Sequence, residues 1–230
     1  MVSVAEEFYY PKTDIFSVSG GIYYDNPGKI NSMLKKVIGA DDLISHVYYL
    51  DFNYKFNHNP IIWNSPYFIL YSLNLQVPFS RKTSNIYYNA ELQTYSASVE
   101  ISSFESYVKT VTVHPLIGLG LSYTELLMPV KYSEALGINC VDDKMNKYEK
   151  SNLNLILGGG SDLRLNLRES EQERKNLLLS FEVRYSINLD VLGIIGGDWE
   201  VGRYAAIGIP DYIGPGLSIE LKIGIENQRK

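Results

Sequence analysis

The chain lacks most of the residues on which small-protein chemistry is built. Cys140 is the single cysteine, so no internal disulfide can form, and it is read as a small buried apolar group. There are three histidines in 230 residues, His46, His58 and His114, read as a loop–strand edge and two short turns. No two stand at metal-ligand spacing, and no Cys–His grouping marks a zinc site, so neither a metal nor another cofactor is expected. Basic charge is scarce: 21 Lys and Arg against 26 Asp and Glu leave a net charge of −5, which argues against a nucleic-acid partner. No run of about 18 apolar residues occurs, so no transmembrane helix is expected. Met1 leads directly into "VSVAEEFYYPK" with no basic n-region and apolar h-region, so an exported protein would carry this chain as its mature form, after signal-peptide removal.

Catalytic motifs are missing as well. "GGGSD" (158–162) has the glycines of a phosphate loop but not the following Lys-Ser/Thr or helix, and reads as glycine within a strand. "LGLSYTE" lacks the Gly-x-Ser-x-Gly spacing of a nucleophile elbow. Ser122 and Ser180 share a face with Asp162 and Glu182, but no histidine is read as lying within a strand to serve as their base. No enzyme is expected. The charge run "ESEQERK" (169–175) reads as a solvated turn.

What is abundant is tyrosine, 19 against 8 Phe and 2 Trp, and alternation. "YFILYSLNLQVPF" (67–79) places Tyr67, Ile69, Tyr71, Leu73, Leu75, Val77 and Phe79 on one face without a break. The same period of two recurs in Asp14 to Asp25, His46 to Asn57, Thr94 to Ser102, Pro115 to Glu125, Asn152 to Leu165, Leu177 to Asn188 and Gly216 to Glu226, which makes eight strands. Only "NPGKINSMLKKVIGA" has helical spacing, with Ile30, Met33, Leu34 and Val37 on one side. Connections 26–45, 80–93, 126–151 and 189–215 are long and 58–65, 103–114 and 166–176 shorter, so an up-and-down order puts all the long ones at one end. No linker or repeat divides residues 1–230, which read as one domain with its strands within about 14–226.

Alternation alone leaves the sense of the faces open. A soluble lipocalin-like barrel, binding an apolar small molecule, would point the apolar face inward. A membrane barrel points it at lipid and lines its interior with polar groups. Three features favour the second. The strands run to nine residues and more, the length that crosses hydrocarbon. The polar faces carry a nearly balanced set, Asp51, Lys55, Glu100, Asp162, Arg164, Glu182, Arg184, Glu220 and Lys222, suited to a closed interior in which each charge needs a partner. Tyrosines gather near strand ends, where a membrane meets water (Tyr23, Tyr24, Tyr48, Tyr67, Tyr95, Tyr123, Tyr185). Lipid offers no hydrogen bonds to a sheet edge, so the sheet must close, and eight strands leave an interior that side chains just fill. Glycines 20, 21, 118, 120, 158, 159, 160 and 224 would leave room there for long charged neighbours. The expected fold is all-β: an eight-stranded antiparallel up-and-down transmembrane β-barrel with one short helix in the first long loop.

Three segments carry a family likeness: "FSVSGGIYYDNPGKIN", "HPLIGLGLSY" and "GGDWEVGRYAAIGIPDYIGPGLSIELKIGI". They resemble the opening strand and its loop helix, the strand entered through proline with a Gly-x-Gly, and the last loop and closing strand of small outer-membrane β-barrel proteins of the Bacteroidetes type, the "outer membrane protein beta-barrel domain" family. The chain departs from many such barrels in ending "IENQRK" rather than in an aromatic residue. The resemblance implies an outer-membrane location and outer-membrane lipid as surroundings; it does not imply an enzyme, and members of the family are mostly of unassigned role. The charged set above then reads as a plug. The Gly-rich loop 190–213, with Trp199, Arg203, Tyr204 and Tyr212, reads as the candidate partner-binding segment, either exposed or folded over the barrel mouth. The expected role is structural or interactional, with long external loops binding a partner protein or surface ligand, possible membership of an envelope complex, and a narrow channel as a further alternative.

Overall fold

The computed structural model describes residues 12–39, 46–57, 67–84, 89–105, 110–129, 145–170, 172–189, 198–201, 204–205, 209–210 and 216–229. Its strands are β1 (Lys12–Tyr24), β2 (His46–Phe56), β3 (Tyr67–Pro78), β4 (Arg81–Ser84), β5 (Asn89–Glu105), β6 (Val111–Pro129), β7 (Met145–Glu169), β8 (Glu173–Asn188), β9 (Glu200–Val201), β10 (Tyr204–Ala205) and β11 (Leu217–Arg229), with one helix, α1 (Gly28–Ile38). All pairings are antiparallel, and β11 returns to β1 through Lys12↔Arg229 to Tyr24↔Leu217, so the sheet closes. The eight walls are β1, β2, β3 continued by β4, β5, β6, β7, β8 and β11.

The register fixes the geometry. From Asp14 the partners run Phe56, Tyr71, Ile101, Ile117, Leu157, Tyr185, Leu217 and back to β1 at Tyr24, ten residues beyond the start. A stagger of ten over eight strands, at about 3.3 Å per residue and 4.8 Å between strands, tilts the strands by about 40° and gives a radius of about 8 Å. Each residue then climbs about 2.5 Å along the axis, so about ten residues cross a 25 Å apolar band.

The faces sort accordingly. Outward side chains are apolar and bare: Phe16 and Ile223, Leu73 and Leu75, Leu119 and Leu121, with Val113 at 74% and Leu221 at 68% exposure. Inward side chains are buried and mostly polar, with Ile15, Leu70, Leu116, Ile156 and Leu178 among them, the opposite of the apolar interior of a lipocalin arrangement. In β6 the outward row Val111, Val113, Pro115, Ile117, Leu119 and Leu121 spans about 25 Å of axis, the height of a hydrocarbon belt. Closed barrels with this sense of inside and outside are the architecture of outer-membrane proteins.

Several strands outrun their sequence-based limits. Residues 80–93 and 126–151, expected as long connections, contain β4, the start of β5, the end of β6 and the start of β7. In these extensions the faces reverse. Ala90, Leu92, Leu126, Met128 and Tyr148 point inward and are buried, while Glu91, Gln93, Glu125, Lys147 and Glu149 point outward. The change falls at neighbouring register positions, Thr94↔Thr124 and Thr124↔Lys150. The wall therefore leaves hydrocarbon there and continues into water.

Helix α1 follows β1 directly. Asn26 Oδ1 accepts the Gly28 N–H at 3.1 Å, and Gly39, at φ 61°, ends the helix by donating to Lys35 O. Its apolar stripe, Ile30, Met33 and Leu34, is buried, and Lys29, Lys35 and Lys36 stay in solvent.

Candidate functional site

The lumen is the chemically distinctive part of the molecule. Asp51, Lys55, Glu100, Asp162, Arg164, Glu182, Arg184, Glu220 and Lys222 all project into it, each between 0% and 5% exposed. Arg184 is the hub. Its guanidinium stands 2.8 Å from Glu182, 3.2 Å from Glu100 and 3.6 Å from Asp51, and pairs with Glu220. Lys222 lies 3.0 Å from Glu182, 3.1 Å from Glu220 and 3.6 Å from Asp51. Lys55 reaches Glu182 from the other side at 2.7 Å. Tyr49 donates its hydroxyl to Glu220 at 2.6 Å, and Gln76 donates to the same carboxylate at 3.1 Å.

The backbone makes room for these long side chains with glycine. In register, Gly21 stands opposite Glu220, Gly118 opposite Glu100, Gly158 opposite Arg184 and Gly160 opposite Glu182. A Cβ on Gly118 or Gly160 would fall 2.6 Å from Cγ of the facing glutamate, and one on Gly21 2.5 Å from the Tyr49 ring. Gly20 is different: it faces lipid, and a Cβ there meets nothing within 4 Å.

Below the hub lies a second group that sequence alone does not assemble. Arg164 is held 3.0 Å from both carboxylate oxygens of Glu226 and donates to Thr112 at 2.7 Å, while Asn176 donates to Glu226 at 2.6 Å. Glu226 is legible in principle, since it continues the inward parity of Glu220 and Lys222. His114, expected in a turn, sits within β6 and is buried in the lumen. Its Nδ1 is 3.5 Å from Asp162 and its Nε2 3.7 Å from Glu182. A histidine does therefore lie within a strand, but its two ring nitrogens face carboxylates, and among the described residues no serine hydroxyl is bonded to either. Ser122 instead accepts from Asn154 at 2.9 Å.

A void of about 20 Å³ above Arg184, beside Tyr23, Asn154 and Ser218, has room for about one water. Above it the apolar extensions close the mouth: Ile30, Met33 and Leu34 of α1 pack with Leu92, Leu126, Met128, Tyr148, Trp199 and Ile209. Trp199, a candidate for an exposed recognition residue, is 2% exposed, and its indole N–H donates to Pro210 O at 3.1 Å. It belongs to this seal. Arg203 and Tyr212 lie outside the described residues, and Tyr204 is described only as backbone of β10, which pairs with β9. A further buried pair, Arg81 to Asp25 at 2.8 Å, ties β4 to the end of β1.

Outside the mouth, the wall carries an ordered polar surface. Lys147 lies 2.5 Å from Glu125 and 2.8 Å from Glu149, and Tyr123 donates to Glu149. Hydrogen bonding to Glu125 and Glu149 raises the Lys147 ammonium above its ordinary value, and the bond from Lys147 holds the Glu149 carboxyl below its own. Tyr95 donates to Gln93 at 2.8 Å, and Gln93 to Glu91 at 3.1 Å. Glu200 of β9, at the side of β7, is exposed.

No family profile matches the chain, and no curated protein matches it by sequence. Among solved structures it is similar to Neisserial surface protein A, at 10% identity over 94% of this chain and 95% of that one, TM-score 0.40. It is similar also to Ail, the attachment invasion locus protein of Yersinia pestis, at 8% identity over 96% and 99%, TM-score 0.42. A major outer membrane protein from Thermus thermophilus is similar at 11% identity over 94% and 99%, TM-score 0.41.

Proposed function

We propose that the protein is a sealed, non-catalytic outer-membrane barrel, of the Bacteroidetes type its sequence resembles, whose work is done at the loop end as an interaction platform. The observation that carries this reading is the double closure. Ion pairs fill the lumen within the belt, and an apolar cluster that includes α1 and Trp199 closes the mouth above it. A barrel so filled offers no wide path to a solute. It does offer the paired wall of β5, β6, β7 and β9 that stands in water above the belt. Its outward row of Gln93, Glu125, Leu127 and Glu149 mixes polar groups with an apolar side chain, as interfaces do.

The test has two arms. In planar bilayers the refolded protein is expected to be electrically silent, and steady conductance would replace the platform with a channel. In mild detergent extracts of the source membrane, the native protein is expected to migrate as a complex larger than the monomer. A Gln93→Arg, Leu127→Arg double substitution should return it to monomer size while the barrel keeps its heat-dependent shift on SDS gels. A wild type that migrates as a monomer would sink the platform reading.

A further inference from the structure

Among the described residues, the lipid-facing surface has a notch on β1. The outward neighbours on β2 and β11 carry large side chains, but the outward residue in the middle of β1 is Gly20. Its register partners are Leu50 on β2 and Leu221 on β11, both exposed, and they form the two banks. The groove between them has a volume of about 410 Å³ and ends toward the loops at Tyr24 and Tyr48. Its width is that of three adjacent strands, about 10 Å between the outer backbones and less between the side chains.

We propose that this groove holds one acyl chain of a membrane lipid from the loop-side leaflet, with the lipid's polar head at Tyr24, His46 and Tyr48. The proposal rests on the membrane reading above. Three observations select the occupant. The groove lies within the apolar belt, four residues below Tyr24, about 10 Å along the axis, so hydrocarbon is what meets it. Its lining runs along β1 from Gly20 past Ile22 to Tyr24, with Leu50 and Leu221 to either side, an elongated apolar hollow that suits an alkyl chain; a second barrel would present a convex wall. At its upper end three amphipathic rings gather, with His46 6.4 Å from Tyr24 and 5.9 Å from Tyr48 between ring centroids, at the level where ester and phosphate oxygens lie. Gly20 has an ordinary backbone conformation, since Gly39 is the only positive-φ glycine among the described residues. The missing side chain is therefore not explained by a turn.

The test is native mass spectrometry of the detergent-refolded protein after exposure to mixed micelles of detergent and dipalmitoyl phosphatidylglycerol, and stripping. The wild type should retain one lipid per barrel. Gly20→Leu, which fills the trough without touching the lumen, should lose it. Ala97→Leu, the same kind of change at an exposed outward position on β5, should retain it. Tyr24→Phe with His46→Ala should retain the lipid less well, with the barrel intact. Equal retention by wild type and Gly20→Leu, both heat-modifiable, overturns the lipid site alone. A wild type that dimerises without lipid, with Gly20→Leu monomeric, gives the groove to a second copy and overturns it too. A protein that is soluble without detergent and unshifted by heating overturns the membrane reading along with it.

Discussion

Gly20 and Gly21 are adjacent, both in β1, and they should respond to the same methyl group with opposite signs. At Gly21 the new Cβ would sit 2.5 Å from Tyr49 Cζ, 2.6 Å from its hydroxyl oxygen and 2.9 Å from Cε1. Tyr49 is fully buried, and its hydroxyl is committed to Glu220, so the ring has nowhere to go. Forcing it aside costs about 1–3 kcal/mol of overpacking. Weakening its bond to a charged acceptor costs a further 1.5–3 kcal/mol, roughly. Removing a strand glycine returns up to about 1 kcal/mol. Gly21→Ala should therefore destabilise by about 1.5–6 kcal/mol, whereas Gly20→Ala, with nothing within 4 Å, should be neutral or stabilising by up to about 1 kcal/mol. Reversible urea unfolding in detergent or thin vesicles, followed by tryptophan fluorescence, measures both. Tyr49→Ala supplies the control, because in that background Gly21→Ala has no ring to displace and should lose its cost. If Gly21→Ala is as mild as Gly20→Ala, or stays costly without the ring, the lumen is not packed as described.

Replacing the hub should be equally telling. Arg184→Met leaves Asp51, Glu100, Glu182 and Glu220 with Lys222 and Lys55 alone, and should destabilise by about 3–5 kcal/mol. The loss should shrink in acid, where carboxylates can take up protons, and a penalty independent of pH between about 4 and 8 would count against the network. Trp199→Ala should open the mouth without opening the barrel. Truncating so large a buried side chain costs about 3–5 kcal/mol, and that cost falls on the cluster with α1. Proteolysis near α1 should accelerate while the heat-dependent gel shift persists; loss of both together would mean that seal and barrel fold as one unit.

The period of two makes the faces readable, because in a strand a residue's parity fixes its side. It places Glu220 and Lys222 opposite Leu221 and Ile223 without knowledge of any contact. Which charge meets which cannot be read this way, because Arg184 and Glu100 are brought together only by closure of the barrel. Proline misleads at β6. A strand that starts at Pro115 leaves His114 in a turn, yet β6 begins at Val111 and the Pro115 ring faces outward. The 190–213 segment leaves two readings open, exposed or folded over the mouth. Trp199 is buried, and the residues that decide it, Ile30 and Leu34, lie far back in the chain.

The strand ends are hardest to see, for a reason that bears on the membrane itself. The expected pattern, outward apolar and inward polar, stops near Tyr95, Tyr123 and Ser151, and the polypeptide beyond reads as loop. The backbone does not stop there. It keeps its period and reverses the sense of its faces, with Leu126 and Met128 inward and Glu125 and Lys147 outward. One continuous β6 is thus inside out relative to itself across two or three residues. A soluble barrel would have no cause to reverse, since the same solvent would bathe its whole length. A strand that crosses from hydrocarbon into water must reverse, because the apolar side chains have to leave the outer face once water is there. Outward Tyr95 and Tyr123 stand at the crossing, apolar in body and polar at the tip. The boundary can therefore be read from β6 alone, and its neighbours β5 and β7 reverse at paired positions.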